Sequence, residues 1–219
     1  MFGSIARRYD RANTVLSAGV HHRWRARAVR FSGAREGDRV LDCATGTGDL
    51  AIAFQNAVGD RGEVVGTDFT PEMIEVARQK NARVQFDVAD VMQLPFADGR
   101  FDISSIAFGI RNVNDPQRGV AEMARVVRSG GRVIVLEFGR PRNALFRTLY
   151  DFYSHNVLPR IGGVVTGERA AYEYLERSSS RFPCGEEFAK LMRASAAFDA
   201  VDYVPLTFGI AYLYRGTKA

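Results

Sequence analysis

The sequence feature that most constrains the fold is a glycine-rich turn at residues 44–48, within a segment that reads VLDCATGTGDL from Val40. An apolar strand is predicted before the turn, at Arg39–Cys43, and a helix after it, at 49–57. A strand, a glycine turn and a helix in this order are typical of nucleotide-binding α/β folds. The turn therefore predicts a nucleotide-like ligand at the carboxyl end of the first strand.

Downstream of this turn, the chain alternates between strand-like and helix-like segments as far as residue 138. Four further strands are predicted, at Glu63–Asp68, 83–87, 101–108 and 132–138. Helices are predicted to begin at Thr70-Pro71 and at Asp115-Pro116, because a capping side chain followed by proline suits the first helical turn. Ser129-Gly130-Gly131 is predicted to end the second of these helices.

The alternation of strands with helices predicts a parallel sheet. By contrast, 200–205 and 210–215 lie close enough in sequence to form an antiparallel hairpin. We therefore predict an α/β fold with a doubly wound, mainly parallel sheet, helices on both faces and a C-terminal antiparallel hairpin at one sheet edge. This arrangement resembles the Rossmann-like fold of class I methyltransferases, whereas a plain dinucleotide-binding domain normally lacks the hairpin.

A length of 219 residues and a hydrophobic content of 46% suffice for one domain with a buried core. We divide that domain into an N-terminal helical lid (1–37), a cofactor-binding core (38–138), a helical substrate-side insertion (139–198) and C-terminal strands (199–219). No apolar run approaches the roughly 20 residues that span a bilayer, and no secretory signal is expected. Cys43 and Cys184 are too few for a disulfide scaffold or a four-cysteine zinc site, so we expect a reduced, cytoplasmic protein.

The positive charge is confined to the N-terminal region. Residues 1–30 hold seven arginines and one acid, whereas the rest of the chain holds 23 basic and 24 acidic residues. Trp24, Ala28 and Phe31 recur there at helical spacing, beside Arg23, Arg27 and Arg30. Two interpretations stay open: a basic amphipathic helix on an anionic membrane surface, or a helix that covers the cofactor site with its arginines in solvent. Charge alone also admits nucleic acid or an anionic small molecule.

Acidic residues follow three of the predicted strands. Asp42 ends the first, Asp68 ends the second and Asp90 follows the third. A carboxylate at Asp42 attracts the ammonium group of S-adenosylmethionine and would repel a pyrophosphate. Asp68 stands where a carboxylate accepts both ribose hydroxyls. Asp90 is placed to accept from the adenine amino group, with Val91 or Met92 against the adenine ring. Three acids at strand ends favour a cationic nucleoside over a phosphate ligand.

The glycine turn carries less information by itself. Gly46 and Gly48 let the backbone approach a ligand closely, but Gly46-x-Gly48-x-x-Ala51 also resembles a dinucleotide fingerprint. Ala44 replaces the first glycine of the usual methyltransferase turn, a change that costs little where φ is negative. No cluster of histidine and cysteine is visible, so no metal is expected.

Several segments go beyond this general fold. They are the opening MFGSIA-x-x-YD, the later LPF, FGIRN, LEF, LP-x-IG and Y-x-YL segments, and RFP at residues 181–183. Together they resemble the UbiE/MenG family of quinone-biosynthesis C-methyltransferases over almost the entire chain. FGIRN, which begins at Phe108, and YEYL, which begins at Tyr172, resemble that family specifically and not merely its fold.

The resemblance implies that S-adenosylmethionine methylates a ring carbon of a polyprenylated, lipid-soluble quinol, with demethylmenaquinol as the leading substrate and a benzoquinol as the other. The short N-terminal region favours the menaquinone type. By family pattern, Thr47, Asp68, Asp90 and Val91 line the cofactor site. A cofactor-contacting position that often holds serine is Ala107 here. A homodimer and peripheral contact with the inner face of a membrane are compatible with this function.

Methylation at carbon requires that an adjacent quinol hydroxyl lose its proton. Arg111 and Asn112 follow the fourth strand. We expect Arg111 to stabilise the phenolate electrostatically, with relay of its proton through water as the alternative, and Asn112 to form a hydrogen bond with a quinol oxygen. Tyr9 is expected to close over the site. His155 is an alternative base.

Competing functions are methylation of a sterol or another phenol, methylation or binding of nucleic acid, and cofactor binding without catalysis. Absent base-methylation motifs and the acidic balance of the core argue against nucleic acid. The Arg111-Asn112 pair argues against a non-catalytic role.

Overall fold

The computed structural model describes residues 19–81, 83–141, 143, 148 and 169–219. The helices are α1 (Val20–Ser32), α2 (Asp49–Val58), α3 (Pro71–Lys80), α4 (Pro116–Arg125), α5 (Arg169–Arg181) and α6 (Glu186–Ser195). The strands are β1 (Arg39–Cys43), β2 (Glu63–Asp68), β3 (Gln85–Val88), β4 (Phe101–Ala107), β5 (Val127–Phe138), β6 (Phe198–Leu206) and β7 (Ala211–Lys218). None of the helices in these ranges is long and apolar enough to cross a membrane.

In the described residues, seven strands form one sheet in the order β3-β2-β1-β4-β5-β7-β6. The first five strands in this order are parallel, whereas β7 runs antiparallel to both β5 and β6. The predicted fold class, including the C-terminal hairpin, is confirmed. The second strand of the hairpin pairs with β5, so β6 forms the sheet edge.

Helices cover both faces of the sheet. On one face, α1, α2 and α3 bury Trp24, Phe54 and Ile74 against alternate side chains of the strands. On the other, α4 and α6 bury Met123 and Phe188. The carboxyl ends of the parallel strands meet at one edge of the sheet, between the two apolar layers.

The helix that precedes β5 ends earlier than predicted. Helix α4 begins at Pro116 as expected, since the Asp115 carboxylate accepts a hydrogen bond from the Arg118 amide at 3.0 Å. It ends at Arg125, so the prediction that Ser129-Gly130-Gly131 ends it is wrong. Val127 is fully buried and pairs with Phe101, which starts the strand before the glycines. The glycines form an irregularity inside β5, where Gly130 has a φ of +71°.

The amphipathic pattern of α1 is satisfied within the protein. Trp24 and Ala28 are buried, and the Trp24 ring lies 6.0 Å from Phe108 and 6.3 Å from Phe138 between ring centroids. The Trp24 indole N–H donates to the Thr207 hydroxyl at 2.9 Å. Arg23, Arg27 and Arg30 are exposed. The apolar side of α1 therefore faces the sheet, and its arginine side is exposed.

Candidate active site

A cavity of about 360 Å³ opens at the carboxyl ends of β1 to β4. Its size is that of a typical small-molecule site. The lining includes the turn after β1, the acidic ends of β2 and β3, and the segment after β4. Of the predicted site residues, it contains Gly46, Asp68, Asp90, Val91, Arg111 and Asn112. Sequence reasoning thus placed residues from four separate segments around one cavity.

Two backbone amides fix the Asp68 carboxylate. Its Oδ2 accepts from the Gly46 N–H and its Oδ1 from the Thr70 N–H, each at 2.9 Å. The first of these bonds joins the end of β2 to the glycine turn after β1. A Cβ built on Gly46 would meet no described residue within 4 Å, so the part of the chain that the structure describes leaves this side of the turn open. Asp68 is half-buried, and its remaining lone pairs can accept hydrogen bonds from a ligand.

Asp90 is held in a similar way one strand further along. Its Oδ1 accepts from the Met92 N–H at 2.8 Å in a short turn after β3. The apolar side chains of Val91 and Met92 line the cavity beside it, and Phe69, which is 75% exposed, lies at its rim. This part of the cavity therefore combines carboxylate acceptors with apolar surface, as a purine nucleoside requires.

Asp42 lies beneath the glycine turn and does not line the cavity. It is 1% exposed, and its two oxygens accept hydrogen bonds from the Thr45 and Ser105 hydroxyls, both at 2.7 Å. Burial raises the pKa of Asp42 to about 6, against the opposing effects of these bonds and of the Arg25 charge. Any effect of Asp42 on a ligand in the cavity would therefore act through space or through the turn.

Thr47 and Gly48 also lie outside the cavity lining. Thr47 is buried, and a Cβ on Gly48 would come within 2.7 Å of the Phe86 ring. Gly48 is therefore needed for helix–sheet packing, in addition to its left-handed φ of +85°.

Two non-glycine residues at the cavity have left-handed backbone. Ala44 has a φ of +46° and Phe108 a φ of +57°, and both line the cavity. The condition under which alanine at position 44 costs little, a negative φ, is therefore not met. Each such residue costs about 1–2 kcal/mol, and strain of this kind concentrates at functional sites.

The Arg111 side chain is buried in an ion pair that sequence analysis did not foresee. Its Nη1 lies 2.9 Å from Glu137 Oε1, and the two side chains are 4% and 1% exposed. Nη1 also donates to the Phe108 carbonyl, and Nε donates to the Ser178 hydroxyl at 3.3 Å. Among the described residues, no acceptor contacts Nη2. The guanidinium is therefore fixed on three sides.

Asn112 is exposed at the cavity and is contacted from α5. The Tyr174 hydroxyl donates to Asn112 Oδ1 at 3.2 Å. Tyr174 and Ser178 are four residues apart and so lie on one face of α5, which contacts both members of the Arg111-Asn112 pair. Tyr9 and His155 lie outside the described residues.

Comparison with known proteins agrees with this architecture. The model of the ubiE/COQ5 methyltransferase family matches residues 1–218. A ubiquinone/menaquinone biosynthesis C-methyltransferase of Bdellovibrio bacteriovorus is 54% identical over 221 residues, which cover 99% of this chain and 94% of that protein. The enzyme of the same description in Teredinibacter turnerae is 44% identical over 225 residues, covering 100% and 90%.

Among solved structures, a SAM-dependent methyltransferase of Thermotoga maritima, described as a possible histamine N-methyltransferase, has a TM-score of 0.71 at 21% identity. The match covers 100% of this chain and 98% of the Thermotoga maritima chain, and it shows that the two share a fold. The predicted family resemblance and the predicted S-adenosylmethionine-dependent C-methyltransferase activity are confirmed at the level of the family. By sequence along its whole length and by fold, the chain belongs to the ubiE/COQ5 methyltransferase family.

Proposed function

We propose that this protein transfers a methyl group from S-adenosylmethionine to a ring carbon of a polyprenylated quinol, converting demethylmenaquinol to menaquinol. The observation that carries the proposal is the cavity itself, where two acidic strand ends and the Arg111-Asn112 pair line a single space. The two relatives described above are named for ubiquinone and menaquinone biosynthesis, which supports a quinol substrate.

The lining of the cavity fits S-adenosylmethionine. Asp68 would accept from the ribose hydroxyls and Asp90 from the adenine amino group, with Val91 against the ring. The open side of Gly46 admits the ligand close to the backbone. The negative charge of Asp42 below the turn favours an ammonium group. The same three carboxylates would repel a pyrophosphate, which argues against a dinucleotide.

When bound, S-adenosylmethionine supplies an electrophilic methyl group. The part of the protein is to hold the quinol, exclude water and favour its phenolate form, which carries charge to the neighbouring ring carbon. Because Glu137 neutralises Arg111, Arg111 serves as a directed donor. Its Nη2, which no acceptor among the described residues contacts, would donate to the quinol oxygen. Tyr174 occupies Asn112 Oδ1, which leaves the Asn112 amide N–H groups for the second contact. As the new carbon–methyl bond forms, the methyl–sulfur bond would break and S-adenosylhomocysteine would leave. The ring carbon would then give up its proton to water, which restores aromaticity.

A hydrophobic substrate must be collected from a lipid phase. We propose a cytoplasmic protein that touches the inner face of the membrane through the exposed arginines of α1. The burial of Trp24 and Ala28 supports electrostatic contact and not insertion of an apolar face. Binding to anionic vesicles that weakens with added salt would support this mode of contact.

The test of the function is methyl transfer from labelled S-adenosylmethionine. Reduced demethylmenaquinol and the corresponding benzoquinol are offered side by side, with RNA and a sterol as further acceptors. Label in the naphthoquinol product is the expected result. Label only in the benzoquinol would contradict the naphthoquinol substrate and indicate a role in ubiquinone synthesis. No label in either quinol would refute the proposed function.

A further inference from the structure

The Glu137 carboxylate, at the end of β5, binds Arg111 at two points. Its Oε1 lies 2.9 Å from Arg111 Nη1 and its Oε2 accepts from the Arg111 backbone N–H at 3.4 Å. Oε1 also accepts from the Phe138 N–H at 2.8 Å, which fixes the carboxylate to its own strand. Glu137 therefore constrains both the side chain and the backbone of the short helical turn Ile110–Asn112.

Stability alone is a weak reason to keep this pair. Two charges with side chains 4% and 1% exposed have lost nearly all of their hydration. Apolar side chains of similar volume often replace such pairs without loss of stability. The position of the pair suggests another reason, since Arg111 and Asn112 line the cavity whereas Glu137 does not. The Ser178 hydroxyl, on α5, accepts a hydrogen bond from the same guanidinium.

We propose that Glu137 is a positioning residue for methyl transfer, with Ser178 as its partner on α5. The two hold the Arg111 guanidinium in one orientation, so that Nη2, which no acceptor among the described residues contacts, can donate to an oxygen of the quinol. The inference rests on the proposed function. The inference adds two points to that function. Glu137 affects methyl transfer only through Arg111, and the hydrogen bond between Arg111 and Ser178 on α5 helps to orient the same guanidinium.

A double-mutant cycle tests whether Glu137 acts through Arg111. The full-length variants Glu137→Gln, Arg111→Gln and their combination are assayed with saturating labelled S-adenosylmethionine and a reduced short-chain demethylmenaquinol. Each single substitution is expected to lower kcat by about 10²-fold, the effect of a misplacement near 1 Å, with both KM values within about threefold. The double variant is expected to be no slower than the slower single variant. Losses that multiply, or a kcat of Glu137→Gln within about twofold of wild type, would overturn the proposal.

Ser178→Ala is a milder variant. It provides the test of the proposal if Glu137→Gln shows no cooperative unfolding and is therefore not folded. It removes one hydrogen bond to Arg111 and is expected to lower kcat about 3- to 10-fold, with no further loss when Arg111 is already Gln. A wild-type kcat would overturn the proposal.

Glu122→Gln is the matched control for the cycle. It breaks another carboxylate–arginine pair, to Arg125 at 2.8 Å, outside the cavity, and should leave kcat unchanged. Failure of the wild-type protein to label the quinol would refute the proposed function and this inference together. Normal wild-type labelling with an unaffected Glu137→Gln would refute the inference alone.

Discussion

Asp42 offers the sharpest test of the site, because its charge is predicted to destabilise the fold. The carboxyl is 1% exposed, and burial raises its pKa from 3.8 to about 6. A raised pKa in the folded state means that folding is favoured while the group is protonated. That contribution is fully present below the unfolded pKa and is lost as the pH rises through about 6.

The size of the effect follows from the shift. About two pKa units at about 1.4 kcal/mol each give roughly 3 kcal/mol between acidic and neutral pH. With these pKa values, about half of the loss occurs below pH 5 and about 1.5 kcal/mol between pH 5 and pH 8. Asp42→Asn has nearly the same shape and cannot ionise. Its free energy of unfolding relative to wild type should therefore increase by about 1.5 kcal/mol over that interval.

The measurement is urea unfolding of both proteins at pH 5 and pH 8, without ligand. Acid-sensitive carboxyls such as Asp102 and Glu122, whose pKa values are lowered by hydrogen bonds and nearby arginines, are present in both proteins and cancel in the difference. Titration calorimetry of the same variant should show weaker binding of S-adenosylmethionine, since the charge that favours its ammonium is gone. A difference in unfolding free energy that is equal at the two pH values would refute the reasoning.

Three further predictions follow from single contacts. Arg111→Gln leaves Glu137 as an unpaired buried charge and should destabilise the protein by about 3–5 kcal/mol in urea unfolding, with part of this recovered when Glu137→Gln is added; a double variant less stable than either single one would contradict this. Trp24→Phe removes the indole N–H bond to Thr207 and should cost about 1 kcal/mol while leaving kcat unchanged. Both Asp68 oxygens accept hydrogen bonds from backbone N–H groups, and Asp68→Asn replaces one of them with an amide donor. The substitution should lower the free energy of unfolding by about 1–3 kcal/mol and weaken S-adenosylmethionine binding in calorimetry. Unchanged affinity would remove Asp68 from the cofactor site.

The sequence predicted most reliably the features that depend on local pattern. Apolar runs located β1 and β2 at their observed bounds, and the carboxyl ends of neighbouring parallel strands share an edge in any such sheet. That geometry is sufficient to bring Asp68 and Asp90 to one cavity. The roles of these residues toward a cofactor stay predictions, as does the division of the chain into four parts.

The features that sequence analysis missed depend on register and on long-range contacts. Ser105 reaches Asp42 because the two are paired across β1 and β4, and no local pattern reports such a register. Glu137 meets Arg111 only after α4 has returned the chain to the sheet. The left-handed backbone of Ala44 was also not foreseeable, since alanine by itself favours a negative φ. Two signals pointed to Glu137, its charge at the end of a buried strand and its place in the LEF segment, but neither identified Arg111 as its partner.

The strand order has a consequence for synthesis on the ribosome. Strand β7 pairs along β5 from Phe138 opposite Ala211 to Arg132 opposite Thr217, and it also pairs with β6. Both neighbours are therefore made before the strand that joins them. Until β7 emerges, the β5 edge, with Val133 and Val135, lacks its partner and is open to pairing with another chain. A premature stop after residue 210 would thus leave β5 as an open sheet edge and β6 without the strand it pairs with. Nascent chains of this protein are expected to need protection from aggregation until β7 has emerged from the ribosome.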